Sequence, residues 1–166
     1  MRFDLLALKK VIAKVLQLPD TDVIEAWQQA PVGKKSFVTV RELTSVQLGS
    51  EYKFDGEEEE ETITDSKETT VSVNAYGTSA NRLLEKLVGA LKTSVAMQML
   101  KRAGMAVPRT SAIRNLTQAL GGGYEERAQV DLTVSHIYRL KTEMTRADSV
   151  EITVKTDTNQ ITVEED

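Results

Sequence analysis

The chain carries no cysteine, one histidine, three prolines and only 5% aromatic residues. Each scarcity removes a class of explanation. Without cysteine there are neither disulfides nor thiolate metal sites, a composition that fits a reducing cytosol and is met equally by virion and periplasmic proteins. With His136 as the single histidine, a paired-histidine metal site or a serine–histidine relay lacks members. Its even position puts His136 on the apolar side of its strand, which reads as a core or interface ring held by a hydrogen bond. Few aromatics, no zinc-finger spacing and no run of Lys or Arg longer than two leave little for reading nucleic acid.

Long apolar runs are missing as well. The opening "MRFDLLALKKVIAKVLQLPD" is interrupted by Asp4, Lys9, Lys10 and Lys14, which is not the pattern of a signal peptide. No stretch approaches the roughly 18 apolar residues of a membrane span, so the sequence predicts a soluble protein with no membrane partner. Gly121-Gly122-Gly123 lacks the Lys-Ser/Thr of a phosphate-binding loop and reads as a turn. The run Glu57 to Glu61 lacks the calcium-loop spacing with its central glycine. Met97, Met99 and Met105 read as core filler. No nucleophile, base and ligand set can be assembled, so the sequence predicts neither an enzyme nor a cofactor or metal.

What is present is a chain of 166 residues, 40% of them hydrophobic, enough for one domain with a substantial core. Its net charge of −4 is unevenly spread. Residues 51–68 hold nine acids against two lysines, residues 79–141 ten bases against four acids, and residues 143–166 seven acids against two bases. Such blocks suit surfaces of opposite sign meeting between copies, or solvated charge on unrelated faces.

The chain alternates between two periodicities. Leu5, Leu8, Ile12, Val15 and Leu16 mark an amphipathic helix capped by Asp4 and closed by Pro19-Asp20. Ile24 to Trp27 reads as extended and Pro31-Val32-Gly33 as a turn. In "SFVTVRELTSVQLGSEYKF", Val38 and Val40 share a face, Leu43 falls on the other, and Val46 and Leu48 return to the first parity. That slip predicts a bulge near Arg41-Glu42 or a break into two strands. Five contiguous glutamates repel, so "DGEEEEETITD" reads as a mobile hairpin tip joining strands 37–54 and 67–76.

Next, "TTVSVNAYGTSANRLLEKLV" changes from alternation at Val71, Val73 and Ala75 to a helical stripe at Ala80, Leu83, Leu84, Leu87, Val88 and Leu91. Gly77 allows the turn, and the Thr78 or Ser79 hydroxyl is placed to cap the helix. Lys92-Thr93-Ser94 offers a break before a stripe of Val95, Met99 and Ala103. Short extended pieces follow at Ala106-Val107 and Ile113–Leu116. In "RAQVDLTVSHIYRL", Ala128, Val130, Leu132, Val134, Tyr138 and Leu140 share one face of a strand. Val150, Ile152 and Val154 pair with Ile161 and Val163 across "TDTNQ" in a terminal hairpin. The expected fold class is α+β, a mainly antiparallel sheet with helices packed on one face and a C-terminal hairpin.

Three stretches, "VIEAWQQAP…SFVTVREL", "TVSVNAYGTSANRLLEKL" and "YEERAQVDLTVSHIYRL", resemble the neck or tail terminator proteins of tailed bacteriophages. The matching elements are Trp27-Gln28-Gln29-Ala30-Pro31, Phe37 to Arg41, Ala75-Tyr76-Gly77 and Arg127 to Leu132, and their order covers roughly residues 1–155. The resemblance implies a structural virion protein assembled in the host bacterial cytoplasm. It would form a ring, commonly a homohexamer, on the tail tube, with tube protein and any sheath below. Head completion proteins would dock above, and DNA would pass through the lumen unread. The whole chain, 1–166, would be one such domain, with an acidic tip at 55–66 and a hairpin arm at 148–166. Asp55, Glu57, Glu58, Glu59, Glu60, Glu61, Arg127, Arg139, Ile152 and Val154 are the candidate subunit or lumen surface. Alternatives are an adaptor or stopper ring, or a small metal-dependent phosphoesterase, which would need carboxylates on adjacent strand ends.

Overall fold

The computed structural model describes residues 3–28, 36–120, 123–144, 153–155 and 160–162. Helix α1 spans Leu5–Leu16, with the Asp4 carboxylate accepting from the Ala7 N–H at 2.9 Å. Gln17 ends it in the left-handed region, φ 60°, and Leu18 N–H donates back to Ala13 O at 2.9 Å. After Pro19 a single 3₁₀ turn, Asp20–Asp22, leads into β1, Val23–Glu25. β1 runs parallel to the start of β2, pairing Val23 with Val38. Trp27 lies beyond the strand in a turn, 80% exposed, with the Arg41 guanidinium 4.5 Å from its ring centre. The proposed turn at Pro31-Val32-Gly33 falls outside the described residues.

β2 (Ser36–Asp55) and β3 (Glu60–Gly77) form one long antiparallel hairpin, and β8 (Arg127–Glu143) lines the other edge of β3 along almost its whole length. The sheet order is β1-β2-β3-β8-β4, where β4 is Met105–Thr110, and β5 (Arg114–Asn115) also pairs with β8. β6 (Gln118–Leu120) and β7 (Gly123–Glu125) make a small hairpin, and β9 (Thr153–Lys155) pairs with β10 (Gln160–Thr162) in a terminal one, Val154 facing Ile161 as expected. Val150, Ile152 and Val163 lie outside the described residues. The fold is α+β, with one parallel pair in an otherwise antiparallel sheet.

The strand pairing bears out the bulge expected near Arg41-Glu42 and corrects two other expectations, the face taken by Val46 and the extent of the acidic tip. The bulge in β2 falls at Leu43, between Glu42 and Thr44, and a second falls at Leu48, between Gln47 and Gly49. The first shifts the parity, so Val46 faces Glu68 on the side away from Val38 and is 57% exposed. The acidic tip is also much shorter than 55–66. β3 resumes at Glu60, because β8 supplies a third strand that pairs Glu61 with Thr142 and Ile63 with Leu140. Only residues 56–59 form the turn.

The strand-to-helix junction turns at Gly77, φ 88°, and Ser79, φ 65°. No Ser79 hydroxyl cap forms; the Ser79 N–H instead donates to Glu126 Oε2 at 2.7 Å. Helix α2, Ala80–Ala90, buries Ala80, Leu84 and Leu87, while Leu83 and Val88 pack at the margin. The expected break is present but falls at 91–93, with Ser94 already in the next helix. Thr93 caps α3, Ser94–Arg102, by accepting from the Ala96 N–H at 3.3 Å. The buried stripe of α3 is Ala96 and Leu100 with Met99 and Ala103 beside it, whereas Val95 is 65% exposed, one position off the expected phase. Met105 fills the core, but Met97 points outward, 54% exposed.

All three helices lie on the same side of the sheet. Leu8 and Ile12 of α1 and Leu84 and Leu87 of α2 join Val38, Val40, Val71, Val73, Val130 and Leu132, each fully buried. Each such side chain contributes about 1.5–3 kcal/mol relative to exposure. This core covers only half the sheet. From Leu43 to Phe54 every β2 side chain is exposed, and the three strands run on as an arm. At about 3.3 Å per residue, the stretch from Ser45 to Asp55 extends it by some 30 Å.

Candidate functional site

The arm tip is built around Asp55. Its carboxylate accepts from the N–H groups of Glu57 and Glu58 at 3.1 and 3.4 Å, closing the turn, and Glu59 takes a left-handed conformation, φ 52°. Met144 N–H donates to Glu59 O at 2.8 Å, fastening β8 to the turn. Glu60 is not an unpartnered member of a glutamate run; Lys141 Nζ donates to its Oε2 at 2.8 Å. That bond and the Glu60 charge hold the Lys141 ammonium above the usual lysine range. Glu57, Glu58 and Glu59 project into water, and a concavity of about 330 Å³ is lined by Glu58, Glu59, Glu60, Glu143 and Met144.

Arg127 stands at the opposite end of β8, on the side of the sheet away from the helices. Its Nη2 donates to Asn74 Oδ1 at 3.0 Å, and its guanidinium lies 5.2 Å from the Tyr76 ring, which stacks on Phe37 at 4.8 Å. Its Nε is buried without a hydrogen-bond partner among the described residues. Gln129 Nε2 donates to Ser72 Oγ at 2.7 Å, and Arg114 pairs with Asp131 nearby, so this side of the body is a polar network. Arg139 shares the side but sits far along the arm, in register with Thr64 and Glu51. The structure therefore does not gather the sequence-derived residues into one site. Asp55 and Glu57 to Glu61 cluster at the tip, Arg127 marks the base, and Arg139 lies between. Val154 is in the terminal hairpin, and Ile152 lies outside the described residues.

His136 occupies the waist between core and arm. Thr69 Oγ1 lies 3.0 Å from Ser45 Oγ and 2.9 Å from His136 Nε2, so the two hydroxyls and the imidazole form one hydrogen-bonded chain. The Phe3 ring packs 5.0 Å from the imidazole. Burial, reinforced by the Lys67 ammonium and opposed by Glu42, lowers the His136 pKa below its ordinary value.

Two features escaped the sequence reading. Lys141, two residues from the end of β8, neutralises an acid 81 residues away that only the strand register brings near. Leu140 continues the apolar parity of the core strand yet is 44% exposed, because no helix reaches that part of the sheet. A continuing apolar stripe on a strand longer than any nearby helix was the available signal.

Among the described residues no group of three or more His, Asp or Glu side chains is arranged to hold a metal ion, and no helix is long and apolar enough to cross a membrane. A second open concavity, about 540 Å³, lies at the body end between Phe37, Tyr76 and Tyr124 with Glu125 and Glu126 at its rim. Comparison with curated proteins finds no match. A protein-family model described as phage neck terminator protein matches residues 6–160.

Proposed function

The chain belongs to the phage neck terminator protein family, structural proteins of the phage neck, and from that premise we propose that it ends tail growth by closing as a ring on the finished tube. The observation that carries this reading is the extent of the family match, 6–160 of 166 residues, which takes in the body and the whole arm. Stacked tube subunits present a repeating end to which another ring can always add. A terminator binds that end with one surface and shows a different one above, so addition stops, and ring closure leaves no free subunit edge.

In this reading the ring is a homohexamer with tube protein, and any sheath, below and head completion proteins above. The acidic arm tips, Arg127, Arg139 and the terminal hairpin supply subunit or lumen surface. Carboxylates such as Glu57 to Glu59, placed along the DNA path, would repel phosphates and keep the passage unread. The chain acts as one domain by docking, without catalysis, in the virion neck after assembly in the host cytoplasm. The long hairpin and the helix that follows it give each ring segment a rigid body and a reaching arm.

The test is removal of the protein from its phage. Tails of irregular and often excessive length that fail to join heads are expected in electron micrographs. Tails of normal length left unjoined would move the protein to an adaptor or stopper position. Normal tails on filled heads would overturn a neck role altogether.

A further inference from the structure

On the helix side of the arm, cross-strand neighbours form successive rows beyond the core. Thr69 stands beside Ser45 and His136, and the Asp65 carboxylate accepts from Ser50 Oγ at 2.7 Å and from Gln47 Nε2 at 3.3 Å. The next row is apolar: Tyr52, Ile63 and Leu140 are in register, with Phe54 beyond. Phe3, just ahead of α1, reaches only as far as His136. Tyr52, Phe54 and Leu140 are consequently 60, 43 and 44% exposed. A contiguous apolar row rimmed by carboxylates is the anatomy of a protein contact.

The complementary surface is on the same chain. Glu85 is the only acid within the three helices, whose outer side exposes Lys10, Lys14, Arg82, Lys101 and Arg102. Between these charges Leu6, Val95 and Met97 are 56, 65 and 54% exposed. An arm held straight by continuous pairing to Asp55, Glu60 and Glu143 cannot fold back onto its own helices. We propose that the arm tip of one copy docks through Tyr52, Phe54, Ile63 and Leu140 on the basic helical layer of a second copy. The apolar rows supply the buried contact, and the opposite charges set orientation and exclude arm-to-arm or helix-to-helix pairing. Two different patches meet, so the contact is head-to-tail and propagates until it closes; closure as a ring is the part that rests on the function proposed above.

Mixing two defective variants tests this. Tyr52→Ser/Leu140→Ser removes the arm patch, and Lys101→Glu/Arg102→Glu reverses the helical one, with circular dichroism and melting checking that each folds. Sedimentation velocity at low salt should show a self-associating wild type, each variant at least about tenfold weaker alone, and a 1:1 mixture stopping at dimers. Dimers are the diagnostic species, because the mixture keeps one competent arm and one competent helical layer. Variants that assemble like wild type, or a mixture that stays monomeric, would overturn the docking. A wild type monomeric to millimolar concentration would overturn it too, while leaving the tail-length test of the terminator role standing. Dimers in the mixture together with normal tails after deletion would have the opposite meaning.

Discussion

Lys141 Nζ reaches Glu60 Oε2 at 2.8 Å, although the residue directly opposite Glu60 in the ladder is Glu143. A like-charged cross-strand pair is thus offset by a diagonal cation. Replacing Lys141 by Met should loosen the tip without unfolding the protein. Amide exchange over residues 56–62 should quicken about three- to tenfold, as for a locally opening segment. The melting temperature should move by less than about 2 °C, because exposed ion pairs contribute little. Unchanged exchange would show that Asp55 and the Met144 N–H order the turn without Lys141.

Leu132 and Leu140 share a strand and a face, but Leu132 is fully buried and Leu140 is 44% exposed. Leu132→Ala should cost about 2–5 kcal/mol in denaturant unfolding. Leu140→Ala should stay within about 0.5 kcal/mol, as exposed positions do. Similar costs at both positions would mean that the isolated chain covers the arm.

At the start of α2 the cap comes from a residue distant in sequence, since Glu126, between β7 and β8, accepts from the Ser79 N–H at 2.7 Å. Glu126→Ala should destabilise by about 1 kcal/mol. Ser79→Gly should stabilise by about 0.5–1 kcal/mol, because glycine occupies φ 65° without strain and no hydroxyl cap is lost. A loss of stability in Ser79→Gly would restore the hydroxyl to a capping role.

His136 gives the fold a pH dependence of known sign. Its folded pKa lies below the ordinary value, so the unfolded chain takes up the proton first as pH falls. The contribution is complete above about pH 6.5 and is lost as pH drops through the folded pKa. Lys67 and burial disfavour the imidazolium, and Glu42 favours it. Stability measured from about pH 7 to pH 5 should fall more steeply in wild type than in His136→Gln, whose amide can hydrogen-bond Thr69 without titrating. Parallel slopes would remove His136 from the acid response.

The core half of the molecule was legible because its periods are unbroken. Leu8 and Ile12, Val71 and Val73, Leu84 and Leu87, and Val130 and Leu132 each announce a buried stripe, and each is buried. The arm was not legible in the same way. Local charge made Glu60 and Glu61 read as loop, but a third strand 81 residues away supplies both backbone pairing and Lys141. Tyr138 and Leu140 follow the core pattern without the core, since periodicity reports a face and not what covers it. Val95 and Met97 misread the phase of α3 because a nine-residue helix offers too few turns to fix it.

Beyond Val40 the outer edge of β2 has no paired strand among the described residues, leaving donors and acceptors along Arg41 to Asp55 open to any extended chain. Leu43 and Leu48 interrupt that edge at two points only five residues apart. Each bulge breaks the even spacing of free N–H and C=O groups and adds local twist, so another copy cannot zip onto the arm by backbone pairing. Deleting both residues would keep every cross-strand partner yet leave a regular edge suited to open-ended fibrous aggregation. The two misfits in the ladder thereby confine association of the arm to its side chains, where partner and stoichiometry can be specified.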